Sequence, residues 1–138
     1  MAVFLVLVWL FGVSGCSDDG PRIAPDGRII LTFWHTYGDQ EEAVLREIIA
    51  DWEKQNASYT IQALRLPFDG HKPKLRTALT VGKGPDMARI DWSYVCELAR
   101  KNALVNLEDF GFSKIKDQYV PAPLGTNFID GVYRGLPD

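Results

Sequence analysis

The sequence predicts an α/β fold, a parallel β-α-β sheet with helices on both faces. Three observations predict it. Extended segments and segments of helical period alternate from residue 28 to residue 101. The first extended segment, Arg28 to Trp34 (R-I-I-L-T-F-W), is almost continuously apolar, as a strand buried on both faces should be. The third, Asp86 to Ile90, follows a Gly82-Lys83-Gly84-Pro85 turn and ends in Asp91 and Trp92, just before a helical run. Right-handed crossovers would bring the carboxyl ends of all three strands to one edge. In open α/β sheets ligands bind in the crevice outside that edge.

The chain has 138 residues, enough for one domain with a modest core. Its net charge of −3 supplies no basic footprint, which argues against a nucleic-acid partner. Cys16 and Cys96 are too few for a disulfide scaffold. Residues Ala2 to Phe11 are wholly apolar, with the length of a signal-peptide core rather than a membrane span. Val13-Ser14-Gly15-Cys16 follows and resembles a bacterial lipobox, in which Cys16 is lipidated and becomes the mature N-terminus. Residues 1–16 are then a lipoprotein signal peptide and 17–27 a tether, opened by the polar Ser17-Asp18-Asp19-Gly20-Pro21. The domain from residue 28 onward is expected outside the cytoplasmic membrane.

After the first strand, His35-Thr36-Tyr37-Gly38 is a polar turn. Asp39 is the expected N-cap of a helix to about Lys54, with Glu42 completing a capping box. Val44, Leu45, Ile48, Ile49 and Trp52 share one face of that helix. Tyr59 to Leu66 alternates as a second strand. Pro67 to His71 is a loop, and Lys72 to Val81 a second helix that tolerates Pro73 in its first turn. A third helix, Tyr94 to Lys101, follows the third strand and buries Val95, Leu98 and Ala99. Residues 104–128 read as irregular with short helical turns, and Tyr133 to Asp138 as the start of another extended segment. That ending suggests a fragment of a longer protein.

Several chemistries are poorly supported. Gly82-Lys83-Gly84 lacks the spacing and the following Ser or Thr of a phosphate loop, and it leads from helix to strand. The turn after Trp34 has one glycine, too few for a dinucleotide fingerprint. His35 and His71 have no second ligand at zinc spacing. Cys96 sits beside Val95 and Leu98 as a core thiol, and there is no G-x-S-x-G elbow. Trp34, Tyr37 and Trp92 are different. Together with Asp91 they collect near strand ends, and an aromatic face beside a carboxylate suits a sugar. Core packing remains an equal reading for Trp34 and Trp92, and the better one for Tyr94.

The lipobox, I-L-T-F-W-H-T-Y-G, A-D-W-E-K-Q, K-L-R-T-A-L-T-V-G-K-G-P-D-M-A-R-I-D and Y-R-G-L-P together resemble the extracellular solute-binding proteins of sugar-importing ABC systems, which are similar to maltose-binding protein. The resemblance implies the first lobe of a two-lobed periplasmic-binding-protein fold, spanning residues 28–138, incomplete and without its second lobe. Arg134-Gly135-Leu136-Pro137 resembles the segment where such a chain first crosses between lobes. Members usually carry an aromatic directly before Gly-Leu-Pro. Here Arg134 holds that place and Tyr133 lies one earlier.

Ligand contacts are implied at Trp34, His35, Tyr37, Asp91 and Trp92, and through a looser match at Asp69. Pro85-Asp86 is expected to be structural. The implied function is capture of a sugar or oligosaccharide by cleft closure and delivery to ABC permease transmembrane subunits. The implied protein is a monomer, not an enzyme, without cofactor or metal, touching the membrane through its lipid anchor only. Two other readings stay open: an exported lipoprotein hydrolase using Asp91 and His35 as acid and base, and a structural lipoprotein with no ligand.

Overall fold

A computed structural model describes residues 20–138. The apolar leader and Cys16 lie outside the described residues. The first six elements are β1 (Ile29–His35), α1 (Asp39–Gln55), β2 (Tyr59–Arg65), α2 (His71–Thr80), β3 (Met87–Ala88) and α3 (Trp92–Arg100). The strands form one parallel sheet in the order β2-β1-β3. Ile29 stands opposite Tyr59 and His35 opposite Arg65. Phe33 and Trp34 stand opposite Met87 and Ala88. From β1 the chain crosses one way to β2, then back past β1 to β3. Right-handed crossovers in opposite directions place α1 and α2 on opposite faces. The predicted fold class is therefore the observed one.

Several boundaries differ from expectation; α2 starts one residue earlier, at His71, and α3 two earlier, at Trp92. Within the stretch expected as tether, Arg22 to Gly27 fold back on β1. Ile23 bridges Ile29 antiparallel, and the Arg22 carbonyl accepts from Ile30 at 2.7 Å. The Pro25-Asp26-Gly27 turn makes this return possible. α1 is capped by Gly38 rather than Asp39. The Gly38 carbonyl accepts from Glu42 N–H, and its N–H donates to Glu41 Oε2, both at 2.8 Å. The reciprocal glutamate is thus Glu41, which leaves Glu42 to pair with Arg46 at 2.5 Å and Arg65 at 3.5 Å.

β3 is two residues long instead of five, and it starts after Asp86, which is committed elsewhere. Its Oδ2 accepts from Thr32 N (2.7 Å), Thr32 Oγ1 (2.8 Å) and Arg22 (2.6 Å). Partial burial pushes this carboxyl up, but the hydrogen bonds from Thr32 and the Arg22 charge outweigh it and hold it below the usual range. Asp86 therefore clips the incoming chain, β1 and the start of β3 together.

The core lies between the sheet and the α2/α3 pair. Leu75, Tyr94 and Leu98 are buried there, with Trp34, Leu79, Ile90, Ala103 and Leu104 packed against them. α1 buries no residue fully: Leu45, Ile49 and Trp52 are half-buried, while Val44 and Ile48 are exposed. After α3 come 3₁₀ turns at Leu107–Phe110, Phe112–Lys114 and Lys116–Gln118, then α4 (Pro121–Gly125).

The extended segment expected from Tyr133 is in fact the second arm of a hairpin. β4 (Phe128–Ile129) and β5 (Val132–Tyr133) are antiparallel around Asp130 and Gly131, both with positive φ, 51° and 84°. Phe112 centres a small aromatic cluster with Tyr119 (5.9 Å) and Tyr133 (5.0 Å, edge-on), and Phe128 joins at 4.8 Å from Tyr133. Tyr133 thus has a packing role. Arg134 reaches back to donate to the Leu104 carbonyl at 3.0 Å. Gly135 follows because a Cβ there would come within 2.7 Å of Asn127 Oδ1.

Candidate functional site

Three turns leave the sheet at one edge, after β1, β2 and β3. In the first, Tyr37 lies under the Arg89 guanidinium, 4.5 Å from ring centre to Cζ. Its hydroxyl donates to Asp138 Oδ2 at 3.0 Å. Burial and the Asp138 charge both push this phenol up. Arg89, from the third turn, donates to the same Asp138 oxygen at 2.6 Å and to Thr36 Oγ1 at 3.1 Å. The guanidinium holds the Asp138 carboxyl below its ordinary range. Arg89 also keeps its backbone N–H on Trp34 O at 2.8 Å, so the first and third turns are joined twice.

The second turn is Pro67-Phe68-Asp69-Gly70. Gly70 has φ 90°, which a side chain would resist, and it lets the chain enter α2 sharply. His71 is buried at the helix start, its Nδ1 2.5 Å from the Phe68 carbonyl, to which it donates. Phe68 and Asp69 stand exposed. In the third turn Asp91 is the N-cap residue of α3 and pairs with Lys72 Nζ at 2.8 Å. The Lys72 ammonium keeps its carboxyl ionised and below the usual range. Trp92 opens α3 and is 69% exposed. The Lys72–Asp91 pair thus ties the second turn to the third. The result is a continuous rim carrying Tyr37, Arg89, Asp138, Asp69, Lys72, Asp91, Phe68 and Trp92.

Four of the six residues expected to meet ligand stand on this rim: Tyr37, Asp69, Asp91 and Trp92. Trp34 does not. It packs against Leu75, Tyr94 and Leu98, with Lys74 Nζ 5.4 Å from its ring centre, and so has the packing role. His35 does not either. It is 1% exposed, between the rings of Phe33 (5.7 Å) and Tyr37 (5.4 Å). Among the described residues no group bonds its ring nitrogens, and burial lowers its pKa, which favours the neutral imidazole. The cause of both differences is the strand boundary. β1 continues through His35, so alternation sends Trp34 and His35 to the two faces of the sheet instead of outward at its end.

The hydrolytic pair of Asp91 and His35 is not assembled: Asp91 is bound to Lys72, and no hydrogen bond joins it to His35 among the described residues. Arg89, Lys72, Asp138 and Phe68 were not anticipated as site residues. Arg89 offered a signal, being a charged residue in the segment expected as the third strand, next to the expected site. Among the described residues no group of His, Cys, Asp and Glu could hold a metal ion.

The rim is open. The cavity beneath it, lined by Trp34, His35, His71 and Leu75 among others, has a volume of only about 10 Å³. A larger hollow of about 280 Å³ lies toward the far ends of α2 and α3, between Arg76, Leu79, Leu98 and Lys101. It has no aromatic or carboxylate in its wall. The rim therefore presents an aromatic and acidic surface, not an enclosed pocket.

No family model matches the chain. Solved structures do. An extracellular solute-binding protein family 1 from Alicyclobacillus acidocaldarius is 30% identical, with a TM-score of 0.71, over 80% of this chain and 28% of its own. The sugar-binding protein MalE from Xanthomonas citri is 29% identical, with a TM-score of 0.68, over 78% of this chain and 28% of its own. The galacto-N-biose-/lacto-N-biose I-binding protein of the ABC transporter from Bifidobacterium longum shares the fold, at 23% identity and a TM-score of 0.70, over 80% of this chain and 28% of its own. The chain therefore spans little more than a quarter of the length of the proteins it matches. Its structural neighbours are extracellular solute-binding proteins of family 1 and MalE-like sugar-binding proteins, and its sheet and helices are a partial lobe of their fold.

Proposed function

We propose that this chain is the first lobe of an extracytoplasmic solute-binding protein that captures a sugar or oligosaccharide for an ABC importer. The observation that carries the reading is the likeness over most of the chain to a solute-binding protein of family 1, at 30% identity, and to the sugar-binding protein MalE, at 29%. The rim agrees with it: an exposed tryptophan and ionised carboxylates at the carboxyl ends of parallel strands suit a pyranose. In the intact protein a second lobe would close over this rim. Ligand touching both lobes would favour the closed form, which the permease subunits would then recognise. No bond is made or broken in such a cycle, so the protein is not an enzyme and uses no cofactor. Lipidation at Cys16 would hold it, as a monomer, outside the cytoplasmic membrane, with the residues between Cys16 and the Arg22 anchor point as the tether.

The test is calorimetric titration of the intact protein with a panel of mono- and oligosaccharides, alongside tryptophan fluorescence. A saturable signal with at least one sugar is expected. Silence across the panel would sink the substrate class.

A further inference from the structure

Phe68 and Trp92 are large rings left in solvent, 62% and 69% exposed. Leaving an aromatic ring wet forgoes the gain that burying its apolar surface would bring. A slack loop could fold such a ring inward. These two are instead held outward on rigid mounts. Phe68 rides on a turn closed by Gly70 and by the His71 bond to its carbonyl, and its ring leans on the buried His71 ring at 5.4 Å. Trp92 is the first residue of α3, which is anchored by the buried Tyr94, Val95 and Leu98. The two mounts are coupled. Lys72, next after His71, pairs at 2.8 Å with Asp91, the residue before Trp92. Beside each ring is a carboxylate able to accept from hydroxyls, Asp69 and Asp91.

We infer that Phe68 and Trp92 are two aromatic faces of a single carbohydrate subsite, with Lys72 as the positioning residue that fixes one face relative to the other. This rests on the sugar-binding reading above and adds to it a second stacking residue and the link between the two turns. Each ring takes the C–H face of a pyranose, while Asp69 and Asp91 accept from its hydroxyls.

The experiment uses the intact protein and whichever oligosaccharide of the panel binds it best. Phe68→Ala and Trp92→Ala each weaken binding about tenfold, which corresponds to about 1.4 kcal/mol. Phe68→Leu, which keeps an apolar side chain but removes the ring face, weakens it nearly as much, whereas Phe68→Tyr retains it. Lys72→Gln weakens binding and shifts the Trp92 emission, and Lys72→Arg restores both. Phe110→Ala removes another exposed aromatic that is not on the rim, and it leaves affinity within about twofold. If the wild-type protein binds sugar and Phe68→Ala or Phe68→Leu binds it equally well, the subsite is wrong and the sugar-binding reading stands. If Lys72→Arg restores nothing, the positioning role fails. If the wild-type protein binds no sugar, both readings fall.

Discussion

The two faces of the sheet are finished to different degrees. On one, α2 and α3 close over Trp34, and Leu98 is 2% exposed. On the other, α1 lies alone: Ile48 is 60% exposed and no residue of α1 is fully buried, the buried side chain on that face being His35 of the sheet itself. Both sides carried a clear helical stripe in the sequence. Periodicity says that a helix forms and which side is apolar. Whether that side is covered depends on a second element arriving, and only the α2/α3 side has one among the described residues. The Lys72–Asp91 part of the rim stands on the completed side, where Lys72 belongs to α2 and Asp91 caps α3, the two helices that build the core.

Substitutions on the two faces should therefore differ in effect. Leu98→Ala should destabilise by about 2–5 kcal/mol, read from urea unfolding, because a cavity opens where three buried side chains meet. A loss below about 1 kcal/mol would mean that the packed face is no better made than the other. Asp86→Asn should cost about 1 kcal/mol, since it weakens the bonds from Thr32 and Arg22 at a half-exposed site. It also has a pH signature. The Asp86 carboxyl is lowered in the folded chain, so its contribution is present above its ordinary value of about 3.9 and fades as pH falls below that. Thermal melts of the wild type should lose more stability on acidification than those of Asp86→Asn; parallel curves would remove Asp86 from the ledger of clips. Ile48→Ser should change stability by no more than about 0.5 kcal/mol. A larger loss would show that α1 is better covered than its exposure indicates.

Much of this was legible beforehand, for physical reasons. The three strands and three helices follow from hydrophobic period and from Gly-Pro punctuation, both local properties. Cap positions moved by one residue because Gly38 and Asp39 can each start a helix, and the choice falls to Glu41 reaching back to Gly38. The Asp130-Gly131 hairpin had a local signal, the Asp-Gly pair, but its flanking strands are only two residues long and too short to show alternation. On the rim, the turns were foreseen and the side-chain directions were not. One further residue of β1 turned Trp34 and His35 away from solvent. Arg89, Lys72 and Asp138 acquire their roles through pairings with residues distant in the chain, as far as the 101 residues between Tyr37 and Asp138, which no local pattern announces.

The strand order β2-β1-β3 has a further consequence. β2 is seven residues long and, among the described residues, pairs on one side only. Its outer margin is partly claimed, since the Ile61 amide donates to Glu53 Oε1 at 2.7 Å and Arg28 donates to the Tyr59 carbonyl at 3.4 Å; the open stretch is toward Ala63 and Arg65, with Gln62 and Arg65 as polar guards. Self-association of this chain would begin there, by addition of a strand, ahead of any sticking through the greasy side of α1. Slowed amide exchange along Tyr59–Arg65 at high concentration is how it would be seen.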